Sequence, residues 1–324
     1  MVWVRIVALA WTALVLSACI TDPGAQGLKA ANYDQAIQET TAAIEKGNLS
    51  RTGQAVVSLN RGVAHLFKEQ YDLALTDFTR SAELNPSFDA PYSNSGAVYL
   101  FTMRYEQAIE QFNKALEIDP RNVNYYVNGG VAHRGAGQYD RAVADYDEAL
   151  RREPRSINAY LGRTVAYLVQ GQNDKALFDA NTVVGMAPDD VRAFQNRCAV
   201  FQSLGNQQEA LSDCEKAVSL SPNDPDALRS KANVLFKLER HSEAISAYDA
   251  SLQIEPMSAQ GLFGRGTARI ALGDGLPGNA DIEAATKLDP EIAQKFEGLT
   301  IGPPRSELSF RRPSLPVPLS GRPM

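Results

Sequence analysis

The sequence predicts an all-α solenoid, a stack of repeated helical hairpins. Three observations predict it. Seven prolines, Pro86, Pro120, Pro154, Pro188, Pro222, Pro256 and Pro290, fall at equal intervals of 34 residues. Small residues recur in phase with them. Large apolar residues fill the intervening positions at helical spacing.

With each proline set at position 32 of a unit, repeats start at residues 55, 89, 123, 157, 191, 225 and 259. Position 8 is then Gly62, Gly96, Gly130, Thr164, Cys198, Ala232 and Gly266. Position 20 is Ala74, Ala108, Ala142, Ala176, Ala210, Ala244 and Gly278. Position 27 is also small in most repeats. Such residues let two helices approach closely, while large residues at positions 4, 11, 24 and 28 fill the remaining core. Glycine stands at position 15 in four of the seven units and reverses the chain between the helices. Proline at 32 stops the second helix because it has no N–H to donate. A single hairpin cannot bury its apolar face, so stacking is required.

This pattern resembles the tetratricopeptide repeat (TPR), and the resemblance covers residues 55–290. It implies a right-handed TPR superhelix of seven 34-residue hairpins (55–88, 89–122, 123–156, 157–190, 191–224, 225–258 and 259–292). Residues 29–54 read as a capping helix, a degenerate repeat in which Tyr33, Ala36 and Ala43 match positions 17, 20 and 27, followed by a loop. Residues 291–297 read as a C-terminal capping helix. In repeat seven, Gly275-Leu276-Pro277-Gly278 replaces the usual start of the second helix, which is expected to begin late or be loose.

The two ends differ in kind. Arg5 precedes an apolar run, residues 6–16, too short for a comfortable membrane span and built like a signal sequence. It ends in Leu16-Ser17-Ala18-Cys19, which resembles the lipobox of bacterial lipoproteins. The resemblance implies cleavage after residue 18, a lipid anchor on Cys19 and a linker over 19–28. The alternative is an ordinary secretory signal; either way the chain is exported. Ile20 after the cysteine favours the outer membrane over the inner in that family. Residues 298–324, with six prolines and four arginines, read as a disordered tail.

Export places Cys198 and Cys214 where disulfides persist. Residue 206 is their midpoint, beside Gly205, where the hairpin of repeat five turns. Residues equidistant from such a turn lie opposite one another, so a disulfide is expected. Two reduced, buried thiols are the alternative.

The net charge of −6 argues against bulk nucleic-acid binding, which needs a basic field. No phosphate loop, metalloprotease motif or nucleophile elbow is present, and no cofactor, metal or small-molecule substrate is expected. Of three histidines, His65 and His133 occupy position 11 and read as polar-edged core residues. Position 7 holds Arg61, Arg163, Arg197, Lys231 and Arg265, and position 23 holds Asp77, Asp145, Asp179, Asp213 and Asp281. Repeats one, four, five and seven have both partners, which predicts a structural Arg–Asp ladder.

In TPR proteins the concave face is lined mainly by first-helix positions 2, 5, 9, 12 and 13. Early repeats place Val56, Leu59, Val63, Phe67, Ala97 and Phe101 there. Repeats five and six place Arg192, Gln195, Gln202, Arg229, Asn233 and Lys237 there, a stripe suited to a protein or extended peptide, an acidic one included. Arg229 and Asn233 match the first two residues of the TPR carboxylate clamp, but Gly264 stands where its next asparagine would be. The expected function is a non-enzymatic, lipid-anchored scaffold on the periplasmic side of the envelope, in its biogenesis or cell-wall maintenance. A regulatory subunit of an envelope enzyme or of a secretion or pilus complex is the rival. A self-assembling array is disfavoured by the capping helices.

Overall fold

A computed structural model describes residues 24, 27–28 and 32–299. The expected leader, Cys19 and the tail from residue 300 lie outside the described residues. Those residues form two compact units, one ending at Gln138 and the other beginning at Tyr139. Helices and their connections make up both, and no strand occurs among the described residues.

The first unit contains α1 (Tyr33–Lys46), α2 (Arg51–Phe67), α3 (Tyr71–Leu84), α4 (Ala90–Phe101), α5 (Tyr105–Ile118) and α6 (Val123–Gly135). The second contains α7 (Tyr139–Arg152), α8 (Ile157–Val169), α9 (Asn173–Met186), α10 (Val191–Ser203), α11 (Gln207–Leu220), α12 (Pro225–Lys237), α13 (His241–Ile254), α14 (Ala259–Ala271), α15 (Gly275–Leu288) and α16 (Ile292–Leu299). Repeat three is divided between the units, its first helix closing one and its second opening the other. Within each unit consecutive helices pack as neighbours, the arrangement of a TPR solenoid.

The 34-residue period maps onto the backbone residue by residue. The second helix of every repeat occupies positions 17–30. Position 15 is left-handed in all seven turns, with φ between 56° at Met103 and 94° at Gly273. There the N–H of residue 15 donates to the carbonyl of residue 12, and that of residue 16 to residue 11. Glu69 to Leu66 (2.9 Å) and Gln70 to His65 (2.9 Å) are one instance. These bonds satisfy carbonyls that a helix end would otherwise leave open.

The structure corrects three boundaries. Residues 51–54, expected in a loop, are helical: α2 starts at Arg51, with the Ser50 side chain accepting from the Gly53 N–H at 3.0 Å. Four extra residues add about one turn, so the face of the helix is kept. In repeat seven, α15 begins at Gly275 in register with every other second helix, not late. Pro277 is tolerated because it lies in the first turn, ahead of Gly278, whose N–H bonds to the Asp274 carbonyl at 3.1 Å. The C-terminal cap extends to Leu299 rather than residue 297.

The small-residue and position-24 core is observed as expected, whereas the residues at positions 4, 11 and 28 are buried in only some repeats. The position-20 alanines from Ala74 to Ala244 are fully buried, as are Phe78, Tyr146 and Tyr248 at position 24. Position 6, not singled out by the sequence pattern, proves equally constrained. A Cβ built on Gly162 would stand 2.6 Å from the Tyr146 hydroxyl, and one on Gly264 would be 2.5 Å from that of Tyr248. The tyrosine of one repeat therefore occupies the volume that a side chain at position 6 of the next would need.

Candidate functional site

The cysteine expectation is met in hairpin five. Cys198 on α10 and Cys214 on α11 form a disulfide, their Cα atoms 5.6 Å apart and both side chains fully buried.

The charged periodicity resolves into a ladder with two partners per rung. Arg163 directs Nε and Nη2 to the two carboxylate oxygens of Asp179, both at 2.8 Å, and Nη1 to Asp147 of the preceding repeat at 2.5 Å. Arg265 does the same with Asp281 (2.8 and 2.7 Å) and Asp249 (2.7 Å). Arg197 grips Asp213 and reaches Asn181, and Arg61 grips Asp77 and reaches Thr41. Lys231, whose repeat has Ala247 at position 23, keeps only the backward contact, to Glu215 at 3.4 Å. Arg163, Arg197, Lys231 and Arg265 at residue i thus meet a partner at i−16, Arg61 meets one at i−20, and each arginine also meets one at i+16. These groups are committed to holding helices in register.

His65 and His133 serve the turns. His65 Nδ1 lies 2.7 Å from Gln70 Oε1, and His133 Nδ1 lies 3.0 Å from Gln138 Oε1, the same position-11 to position-16 contact in two repeats. No cluster of three His, Cys, Asp or Glu side chains suited to a metal ion occurs among the described residues.

The six residues singled out for partner binding lie on α10 and α12, but most are engaged within the protein. Arg192, exposed, directs Nε and Nη2 to Asp190 and Nη1 to Asn158 at 3.0 Å. Gln195 is 3% exposed and donates to Asp224, the N-cap of α12, at 3.3 Å. Gln202 Nε2 lies 3.4 Å from Cys198 Sγ. Arg229 is 6% exposed and pairs with Asp226 one turn away. Asn233 accepts from the Tyr248 hydroxyl at 2.5 Å, which removes it from a clamp-like role in this state. Lys237 is half-buried, and burial lowers its pKa from the ordinary lysine value. The structure therefore brings the six together on two neighbouring helices, with their charge largely compensated.

A seventh residue stands beside them. Asn196 is 1% exposed, and neither its Nδ2 nor its Oδ1 has a hydrogen-bond partner among the described residues. Asn94 Nδ2, also at position 6, and Gln260 Nε2, at position 2, are in the same condition. A buried polar group left unmade costs about 1–3 kcal/mol, so such groups call for a physical reason. The signal was present in the sequence: position 6 is Asn60, Asn94, Asn128 and Asn196 in four of seven repeats.

Helical hairpins repeated every 34 residues, closed by a Schellman turn and a proline, define a helical-repeat scaffold. Tetratricopeptide repeat family profiles match residues 128–191 and 200–259, and a TPR repeat profile matches residues 104–135. The chain is a tetratricopeptide repeat protein. Its fold is similar to that of a tetratricopeptide repeat protein from Parabacteroides merdae, with TM-score 0.64, 17% identity, 77% of this chain and 99% of that chain covered. It is also similar to yeast Tom70, with TM-score 0.60, 16% identity, 92% of this chain and 71% of that chain covered. Comparison with the curated proteins finds no match.

Proposed function

We propose that this protein is a lipid-anchored scaffold of the bacterial envelope that holds an extended peptide segment of a partner against α10 and α12. The fold is that of a protein-interaction scaffold. The peptide reading is carried by one observation, the buried amide of Asn196 with both donor and acceptor unmet. An extended main chain presents an N–H and a C=O in alternation, and the Asn196 amide, buried as it stands, can bond to both at once when its side chain turns out toward such a segment. Gln202, Arg192 and Lys237 lie on the same two helices and would contact the side chains of such a segment. Because Asp190 and Asp226 already compensate Arg192 and Arg229, main-chain hydrogen bonding rather than net charge would dominate recognition. An acidic partner is favoured chiefly through Lys237. The signal-like run and Leu16-Ser17-Ala18-Cys19 support envelope placement, with Ile20 favouring the outer membrane.

Selection of a displayed 12-residue peptide library on the full mature chain tests the reading. Selected peptides are expected to bind with an affinity that falls tenfold or more in Asn196→Ala, with helicity unchanged. Binding indifferent to both Asn196→Ala and Lys237→Glu would overturn the site.

A further inference from the structure

The start of the described chain is tied down, and this fixes how an anchor would present the protein. Gly24 donates its N–H to Glu39 of α1 at 3.2 Å and accepts from the Leu28 N–H at 3.0 Å. The Asn32 N–H bonds to the Gly27 carbonyl at 2.8 Å. Neither glycine leaves room for a side chain. Gly24 has φ +82° and lies against Thr40, while a Cβ on Gly27 would stand 2.6 Å from the Ala36 backbone nitrogen. Leu28 packs against the core formed by Leu59, Val63, Leu66 and Phe78. Gly24, Gly27 and Leu28 are therefore part of the folded body. Of the expected linker over residues 19–28, four residues separate the expected anchor Cys19 from the docked Gly24.

We propose that the N-terminal end of the first unit, α1 with the clamp that Gly24, Gly27 and Leu28 make on it, is the membrane-facing surface of the protein, held there by a tether too short to let it leave. The proposal rests on the lipid-anchor reading above. Five Cα–Cα steps separate Cys19 from Gly24, and a chain of that length spans at most ~18 Å however it is arranged. A cysteine carrying acyl chains sits at the lipid–water boundary, where more than one chain gives stable anchoring. The clamp is then within ~18 Å of that boundary, about the width of two packed helices. Charge does not supply the attachment: α1 carries Asp34, Glu39 and Glu45 against Lys46, with Lys68 already paired to Asp34. Among the described residues, α1 presents no basic patch to hold anionic headgroups. Partners reached by the first unit would accordingly be proteins at the same membrane, or the membrane-proximal segments of such proteins.

The test uses the full acylated chain in phosphatidylcholine vesicles containing a headgroup-labelled acceptor lipid. A donor is placed at exposed Gln38 through Gln38→Cys, the native cysteines 198 and 214 being paired. Efficient energy transfer is expected. It should fall at least threefold when a 20-residue Gly/Ser segment is inserted between Ile20 and Thr21, since such a segment adds a root-mean-square reach of ~25 Å. Transfer should be unchanged at high salt. Equal transfer with and without the insertion, on protein whose N-terminal peptide carries the acyl mass, would overturn the tether inference while leaving the anchor in place. An N-terminal peptide without acyl mass would overturn both.

Discussion

Arg163 and Asp179, sixteen residues apart, are joined by two parallel hydrogen bonds of 2.8 Å, and the Asp179 side chain is only 1% exposed. Burial pushes the Asp179 carboxyl above the ordinary aspartate value, and the guanidinium fork opposes that shift. The third bond, to Asp147, links the hairpin to the repeat before it. The pair therefore sets helix registry in two directions, while its net stabilisation is small because desolvation offsets the attraction.

Removing one partner should be costly where removing both is not. Arg163→Ala leaves a buried carboxylate without its fork, and about 3 kcal/mol of stability is expected to be lost at neutral pH in urea unfolding. The loss should shrink on acidification. With a folded-state pKa above the unfolded one, Asp179 in the variant destabilises most above the folded value and progressively less as pH falls toward 4. Arg163→Met with Asp179→Leu should recover most of the loss. A single variant as stable as the native chain at pH 7 would refute the buried-pair account.

Asp145 provides a pH test in the native chain. It occupies the ladder position of repeat three, where position 7 is Gly129, and burial raises its pKa to about 7. The folded state then holds this proton through a range in which the unfolded chain, with an ordinary aspartate pKa near ~4, has released it. Stability is thus expected to decline as pH rises from ~4 to ~7, the penalty being complete above that. Asp145→Asn should flatten this slope. Thermal unfolding at both ends of the window, compared between the two proteins, isolates the contribution; parallel profiles would exclude it.

Much of this architecture was legible because a 34-residue period samples every structural position seven times. The prolines, the position-20 alanines and the forward half of the ladder could be read directly. The backward half was missed because it joins position 7 of one repeat to position 25 of the previous one, where Thr41, Asp147, Asn181, Glu215 and Asp249 share hydrogen-bonding capacity but not residue type. The Tyr146–Gly162 and Tyr248–Gly264 complementarity was missed for a related reason. It is a relation between repeats, invisible when each column is read alone. For the candidate site, the sequence located the polar stripe on α10 and α12. It could not show that Gln195 and Arg229 would be buried, or that Asn196 would be left with its amide unmet.

The left-handed turns offer a route to stabilisation. Four turns place glycine at position 15, but Glu69, Met103 and Glu239 hold φ of 61°, 56° and 59° with a Cβ present. That conformation costs a non-glycine residue about 1–2 kcal/mol, part of which glycine returns as greater freedom in the unfolded chain. Met103 is 66% exposed, so its side chain contributes little packing. Met103→Gly is therefore expected to stabilise by ~0.5–1 kcal/mol, read as a higher urea midpoint at constant slope. A lower midpoint would show that Met103 contributes through contacts that its exposure conceals.

The Cys198–Cys214 bridge replaces an aromatic anchor. Position 24 is Phe78, Phe112, Tyr146 and Tyr248 in four other repeats, and the space between the helices of hairpin five is instead closed by the disulfide. Cross-linking a loop of this length restricts the unfolded chain by ~3 kcal/mol. Both sulfurs are buried, so reductant must wait for local opening. The oxidised chain should take up no maleimide at these positions without denaturant, and its unfolding midpoint should drop on reduction in urea. Cys198→Ala with Cys214→Ala should lose at least as much, because two small side chains leave the interhelical space underfilled. Cys198→Gly with Cys214→Phe, the pairing used by Gly62 and Phe78, should restore part of the loss without any covalent bond. If that variant is no more stable than the double alanine, the bridge and the aromatic ring are not alternative solutions to the same packing problem.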